Sequence, residues 1–89
     1  MTRPFEFDPA KSQANLAKHG IDFRTAQELW GDPRLVTLDS PTVSETRFLC
    51  VGAIRGTVWT AIFTIREDRI RIISVRRARL QEARLYEGQ

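Results

Sequence analysis

The basic side chains of this sequence are concentrated near its C-terminus, and almost all of them are arginines. The 89-residue chain has 12 arginines but only 2 lysines. Seven of the arginines fall in the last 24 residues: Arg66, Arg69, Arg71, Arg76, Arg77, Arg79 and Arg84. Arginine presents a planar fork of donors that matches phosphate or carboxylate oxygens, whereas lysine acts as a point charge. The run from Arg69 to Arg84 therefore predicts a surface that holds polyanions. A solvated, salt-bridged surface is the alternative, since the four acids Glu67, Asp68, Glu82 and Glu87 lie within or next to this run.

Lys18 and His19 are the second group that could do chemistry. His19 is the only histidine, and histidine is the side chain that changes charge near neutral pH. Both residues come at the end of a predicted helix, where the carbonyl groups favour a cation. His19 could donate a proton there and Lys18 could hold a phosphate. The alternative is that both residues only cap the helix.

Arg76 and Arg77 lie at the end of a predicted strand. Because they are adjacent, they point to opposite faces and cannot hold one phosphate together while the strand continues. Unbroken alternation puts Arg76 on the face of Ile70, Ile72 and Ser74, which predicts a half-buried and therefore aimed side chain. Arg76 is thus the first candidate for a phosphate ligand. Arg77 is the second, with Arg79 in support.

Three further residues could contribute to a polyanion site. Tyr86 could stack on a base or hold a phosphate, or it could seal a helix against the sheet. Arg47, at the start of a strand, could join the same basic patch. Arg84 could bind the polyanion or a protein partner.

Helix signals dominate the N-terminal third. After a short strand at 4–7, Asp8 is a helix N-cap with Pro9 in the first turn, and Gly20 stops the helix. Ala10, Ala14 and Ala17 predict a slim stripe for close packing. Asp22 starts a second helix, which ends at 31–33.

The rest of the chain is β-prone until a final helix. Strands are predicted at 35–38, 47–52, 57–65 and 69–75, with a loop at 40–44 and turns at 55–56 and 67–68. The connections are short enough to require antiparallel neighbours. Good helix formers follow from about Arg77 without a wide apolar stripe, so this helix is not deeply embedded. The sequence predicts one α+β domain over 1–89: a small antiparallel sheet with two N-terminal helices and a C-terminal helix.

Several classes of function are excluded by missing motifs. No cluster of His, Cys or acids has metal-ligand spacing, and no glycine-rich loop could cradle a nucleotide, so no metal and no cofactor is expected. Cys50 is the only cysteine and is expected to be a small buried side chain. No signal pattern is found, and no apolar stretch approaches the roughly 18 residues of a membrane span. A cytoplasmic protein without a membrane partner is expected.

Short strings in the right order resemble the BrnT family of type II toxins. They are Phe5-Glu6-Phe7-Asp8-Pro9-Ala10-Lys11, Asn15-Leu16-Ala17-Lys18-His19-Gly20-Ile21-Asp22-Phe23, Asp32-Pro33-Arg34, Asp68-Arg69-Ile70-Arg71-Ile72-Ile73-Ser74-Val75-Arg76-Arg77-Ala78 and Arg84-Leu85-Tyr86-Glu87. The resemblance covers nearly the whole chain. Phe63 departs from it, since the family often has a tyrosine there, and the loop from Pro41 to Glu45 lacks a histidine found in some members.

The resemblance implies a RelE-like fold and a toxin that stops translation by cutting RNA. It also implies a cognate antitoxin with a ribbon-helix-helix DNA-binding part, through which the complex binds operator DNA. Lys18, His19, Arg76, Arg77 and Tyr86 are then the candidate catalytic residues of a metal-independent endoribonuclease. Arg47, Arg79 and Arg84 are the candidate RNA-binding residues.

Two other functions remain open from the sequence. One is a non-catalytic module of the same fold whose arginines bind RNA or an acidic protein. The other is a DNA-binding regulator that acts alone, although the chain has no clear helix-turn-helix with a polar recognition helix.

Overall fold

The computed structural model describes residues 3–41 and 46–88, and the elements follow the predicted order. The helices are α1 (Pro9–His19), α2 (Phe23–Ala26), which continues as a 3-10 helix (Gln27–Gly31), and α3 (Leu80–Glu87). The strands are β1 (Phe5–Glu6), β2 (Val36–Pro41), β3 (Thr46–Ile54), β4 (Thr57–Arg66) and β5 (Arg69–Arg77). The predicted α+β class is confirmed. The RelE-like arrangement stays a prediction.

The strands form one five-stranded sheet in the order β1-β5-β4-β3-β2. The neighbours from β2 to β5 are antiparallel, as their short connections predicted. β1 pairs in parallel with β5, with Phe5 opposite Ile70, so the sheet is mixed rather than purely antiparallel. A pairing between the first and last strands depends on tertiary contact, which the local pattern does not encode.

Two tight hairpins connect the three longest strands. The turn residues Arg55 and Gly56 both have positive φ, as do Glu67 and Asp68. Two-residue hairpin loops of this kind match the twist of the flanking strands. The predicted loop at 40–44 is wrong in its first part, since β2 continues through Pro41. Its remainder, 42–44, lies outside the described residues.

A β-bulge in β5 overturns the predicted alternation of that strand. Ile72 pairs with Phe63 and Ser74 pairs with Ile62, so Ile73 is an extra residue without a direct partner. The side chains that face the core are Ile70 and Ile72 before the bulge but Val75 after it. Arg77 therefore shares the face of Val75, and Arg76 shares the opposite face with Ser74. The sequence had assigned these two arginines the other way round.

Helices cover both faces of the sheet. α2 and the 3-10 helix bury Phe23, Ala26 and Leu29 against the face of Ala61 and Val75. α3 lies on the other face, because the Glu82 side chain binds Thr60 and Arg76. Leu80 and Leu85 of α3 are exposed, at 67% and 52%, as expected for a helix that is not deeply embedded.

α1 lies against β5 through polar residues rather than through the predicted alanines. Its ends are as predicted: the Asp8 carboxylate accepts from the Ala10 N–H, and Gly20 adopts the left-handed conformation. The alanine stripe is wrong, since Ala10, Ala14 and Ala17 are all exposed. The buried residues are Ser12 and Asn15. They face main-chain groups that need hydrogen-bond partners, which alanine cannot supply.

Candidate active site

Arg76 is held in an ion pair that fastens α3 to the sheet. Its two terminal nitrogens donate to the two carboxylate oxygens of Glu82 at 2.7 and 2.9 Å. Glu82 also accepts from the Thr60 hydroxyl at 2.9 Å and from the Arg79 N–H at 2.8 Å. The side chains of Arg76 and Glu82 are only 19% and 14% exposed. The two terminal nitrogens of the Arg76 guanidinium, which the sequence assigned to a phosphate, are therefore occupied by a carboxylate.

The protonation of this pair is fixed at neutral pH. Hydrogen bonds from Arg76 lower the pKa of Glu82 to about 2, ahead of the opposing effect of burial. The hydrogen bonds with Glu82 likewise raise the pKa of Arg76. Glu82 is a carboxylate that accepts four hydrogen bonds, so it is not available as a general base at neutral pH.

Arg77 lies on the opposite face, and its guanidinium is accessible. It is exposed, and it stacks on Trp59, its partner across the β4–β5 pair, with 5.5 Å between the guanidinium carbon and the ring centroid. Within residues 3–41 and 46–88, no acidic side chain pairs with it. A cation over an indole ring is oriented by the ring's electrons but keeps its N–H donors for another ligand. Arg77 is therefore better placed than Arg76 to hold a phosphate.

Lys18 and His19 form the last turn of α1, and Asn15 joins this turn to β5. The Asn15 amide nitrogen donates to the carbonyls of Ile21 and Val75 at 2.8 and 2.9 Å, and its oxygen accepts from the Val75 N–H at 3.2 Å. His19 follows Asn15 by four residues, so it lies on the same side of α1, and it is half-buried. Lys18 is exposed. Neither side chain hydrogen-bonds to any of the candidate arginines in the part of the chain that the structure describes.

Tyr86 is fixed at the far end of α3. Its hydroxyl donates to the Asp32 carboxylate at 2.6 Å, and the same oxygen of Asp32 accepts from the Ala53 N–H at 2.9 Å. The Arg34 guanidinium lies 5.4 Å from the centre of the Tyr86 ring. Tyr86 is 8% exposed, so the geometry favours its sealing of α3 to the sheet over contact with a substrate.

The Tyr86–Asp32 hydrogen bond shifts the pKa values of both groups in the directions that favour the bond. The hydrogen bond raises the pKa of Tyr86 and lowers the pKa of Asp32. A tyrosine with a raised pKa stays protonated near neutral pH, which makes it a poor general base. Asp32 also helps to end the 3-10 helix. Its carboxylate accepts a hydrogen bond from a main-chain N–H in the part of β3 that extends past the end of β2.

We expect Tyr86→Phe to lower the urea midpoint at pH 7, because the Asp32 carboxylate loses a donor. The folded pKa of Asp32 lies below its ordinary 3.8, so its stabilising effect is present above that pH and is lost as the pH falls below it. The difference in urea midpoint between wild type and variant should therefore be smaller at pH 3 than at pH 7. Urea unfolding at both pH values measures this, with Tyr86→Leu as a control for packing. An equal gap at pH 7 and pH 3 would contradict it.

The candidate RNA-binding arginines do not form one patch. Arg79 directly precedes α3 and Arg84 lies on its exposed side, and neither side chain pairs with an acid within the described ranges 3–41 and 46–88. Arg47 pairs with Ser40 near the other end of β3. It lies five residues, or about 16 Å, from Gly52, which is opposite Trp59. Arg47 therefore lies at the opposite end of the sheet from Arg77, and its RNA-binding role stays a prediction.

A cavity of about 400 Å³ lies away from this site. Its lining is mainly aromatic and aliphatic: Phe5, Trp30, Phe48, Phe63, Ile65 and Ile70, with Arg3 and Thr37. Arg3 donates to Asp68 at 3.0 Å. Ile65 and Ile70 pair at the turn end of β4 and β5, opposite to the end that carries Trp59 and Arg77. The cavity therefore has little chemistry to offer a phosphate.

Four residues of the site were not singled out from the sequence. Glu82 stands at the third position of α3, which is where a capping glutamate is expected, so its role had a signal. Asp32 was interpreted only as a helix end. Asn15 belongs to a polar series with Ser12 and His19, spaced like one face of a helix. Trp59 had no distinguishing signal.

The fold and site together define a small basic α+β domain with an accessible arginine on an aromatic ring, near a helix end that carries lysine and histidine. Such a surface is typical of proteins that bind nucleic-acid phosphates. The family model of BrnT, the ribonuclease toxin of type II toxin-antitoxin systems, matches residues 7–82. The chain belongs to this family, and RNA and an antitoxin are accordingly its substrate and partner.

A search of curated proteins gives no match. Among the described residues, no helix is both long enough and apolar enough to cross a membrane, and no three His, Cys, Asp or Glu side chains are grouped to hold a metal ion.

Proposed function

We propose that this ribonuclease toxin is an endoribonuclease that cleaves RNA without a metal ion and thereby stops translation. The 2′-hydroxyl of one nucleotide attacks the adjacent phosphorus, its proton leaves, and the bond to the 5′-oxygen of the next nucleotide breaks. The products are a 2′,3′-cyclic phosphate and a 5′-hydroxyl. The observation that supports this best is the accessible fork of Arg77 near the end of α1.

The roles follow from what each side chain can offer. Arg77 holds the non-bridging phosphate oxygens and stabilises the charge that develops in the transition state. His19 donates a proton to the leaving 5′-oxygen, a step that contributes about 10²–10⁴-fold when the donor is positioned. Lys18 and Arg79 hold the flanking phosphates. Arg76 and Tyr86 act indirectly, since both hold α3.

We further propose that a ribbon-helix-helix antitoxin neutralises the toxin and carries the complex to operator DNA. The support is the family's toxin-antitoxin context together with the exposed Leu80 and Leu85 of α3. Exposed leucines beside Arg84 suit a protein interface, where an apolar centre is surrounded by polar residues.

The central test is cleavage in EDTA. Purified toxin should cut an RNA oligonucleotide with excess EDTA present and leave a cyclic phosphate end, detected by mass spectrometry. The matched control is the same oligonucleotide with a 2′-O-methyl group at the cut site, which should stay intact. In a cell-free system the toxin should stop translation, and added antitoxin should restore it. Intact RNA with a salt-dependent gel shift would instead favour a non-catalytic binding module.

A further inference from the structure

Asn15 is the only side chain of α1 that bonds to β5 in the described part of the chain. It is 7% exposed, and its amide makes three hydrogen bonds to main-chain groups. Two of them go to the N–H and carbonyl of Val75, in the way that a neighbouring strand would. β1 pairs only with Ile70 and Arg71, so the side chain replaces a strand partner beyond the point where β1 ends.

The third hydrogen bond reaches the bend after α1. The Ile21 carbonyl accepts from the same amide nitrogen at 2.8 Å, and Gly20, with φ of 81°, makes the bend. One amide therefore fixes the last turn of α1, the bend behind it and β5. Only an amide fits, since the site needs two donors and one acceptor on a single side chain.

Both parts of the proposed catalytic site lie close to this amide. His19 is one helical turn after Asn15, about 6 Å along the axis. Arg77 is two residues after Val75, about 7 Å along the strand. Lys18 and His19 have no hydrogen bond or ion pair of their own to hold them, within the ranges described. Asn15 is therefore the side chain whose hydrogen bonds connect this turn to the strand of Arg77, within the ranges described.

We propose that Asn15 is a positioning residue for catalysis, which sets the Lys18–His19 turn against Arg77. This rests on the proposed ribonuclease function. Displacement of about 1 Å can lower a rate by about 10²-fold. The reaction should depend on Asn15 through kcat, while KM, to which several arginines contribute, changes little.

Ser12 supplies a matched control. It is equally buried, at 7% exposed, and lies on the same side of the same helix. Its hydroxyl accepts from the Phe23 N–H at 2.9 Å, so it joins α1 to α2 rather than to β5. Ser12→Ala and Asn15→Ala both remove a buried helix anchor, but only the second loosens the end of α1 from the strand of Arg77.

The experiment compares the two variants on the RNA oligonucleotide in EDTA, below the unfolding transition of each. Asn15→Ala should lower kcat by about 10–100-fold with KM within about 3-fold, and Ser12→Ala should leave kcat within about 3-fold. Asn15→Ala should lower kcat little further in a His19→Ala background, because the proton donor that it positions is gone. Amide hydrogen exchange at Val75 should quicken in Asn15→Ala alone.

Equal losses in the two variants, or additive losses in the His19→Ala background, would overturn the proposal and leave Asn15 a structural residue. So would an unchanged kcat in Asn15→Ala together with fast exchange at Val75. These outcomes all require a wild type that cleaves RNA. If the wild type leaves RNA intact, the ribonuclease proposal itself is refuted, and the role of Asn15 is not what failed.

Discussion

Glu82→Ala is expected to lower the free energy of unfolding by about 2–4 kcal/mol, slightly below the range for a fully buried ion pair because this one is partly exposed. Three donors lose their acceptor at once: the Arg76 guanidinium, the Thr60 hydroxyl and the Arg79 N–H. Thr60 is completely buried, so water cannot easily replace the lost partner. Urea unfolding at pH 7, followed by tryptophan fluorescence, measures the change.

Glu87→Ala is the matched control, since Glu87 is an exposed acid in the last turn of the same helix. Its removal should change stability by less than about 0.5 kcal/mol. A loss below about 1 kcal/mol for Glu82→Ala would show that the four hydrogen bonds contribute no more than a surface ion pair does. So weak a pair would also leave Arg76 able to exchange Glu82 for a phosphate.

The same pair sets part of the acid stability. The folded pKa of Glu82 is about 2, against an ordinary value of 4.5. A lowered pKa stabilises the fold above pH 4.5, and this contribution is lost as the pH falls from 4.5 towards 2. Glu82→Ala should therefore lose most of its disadvantage relative to wild type near pH 2.

The ends of helices and the hairpin turns could be predicted because their chemistry is local. Asp8, Gly20 and Asp22 cap helices through contacts with residues at most four positions away. The positive φ at Arg55–Gly56 matches the turn that the sequence indicated there. Such features need no knowledge of the rest of the fold.

The face of each arginine could not be predicted, because the bulge at Ile73 has no local signature. Ile72 and Ile73 are both β-branched and apolar, so either one could continue the buried row. Pairing with Phe63 and Ile62 of β4 decides it. A shift of one residue reverses every later side chain, which exchanged Arg76 and Arg77.

The hydrogen-bond partners of the site residues could not be predicted from the sequence for a similar reason. The sequence identified Lys18, His19 and the arginines by type, and the predicted positions of Lys18, His19, Arg76 and Arg77 at element ends are confirmed. Arg76 meets Glu82 only because α3 turns back over the sheet. Tyr86 meets Asp32 across 54 residues of sequence. Contacts of this length arise from topology rather than from spacing.

The largest catalytic effect is expected for Arg77→Ala, which should lower kcat/KM for RNA by about 10²–10³-fold. The side chain offers a planar fork to a phosphate whose charge increases in the transition state. Arg77→Lys should lose part of this effect, because the charge remains but the fork does not. The fold should change little, since the contact with Trp59 is a cation–π contact worth about 0.5–1 kcal/mol at an exposed site.

Arg84→Ala is the control for general loss of positive charge, since Arg84 is exposed on α3. It should weaken binding of a 2′-O-methyl RNA slightly and lower the salt dependence by about one phosphate contact, with kcat unchanged. Full activity in Arg77→Ala would indicate that the phosphate binds on the opposite face of the sheet. Arg76 would then have to exchange the Glu82 carboxylate for RNA, and Glu82→Ala, although destabilised, would bind the analogue more tightly than wild type.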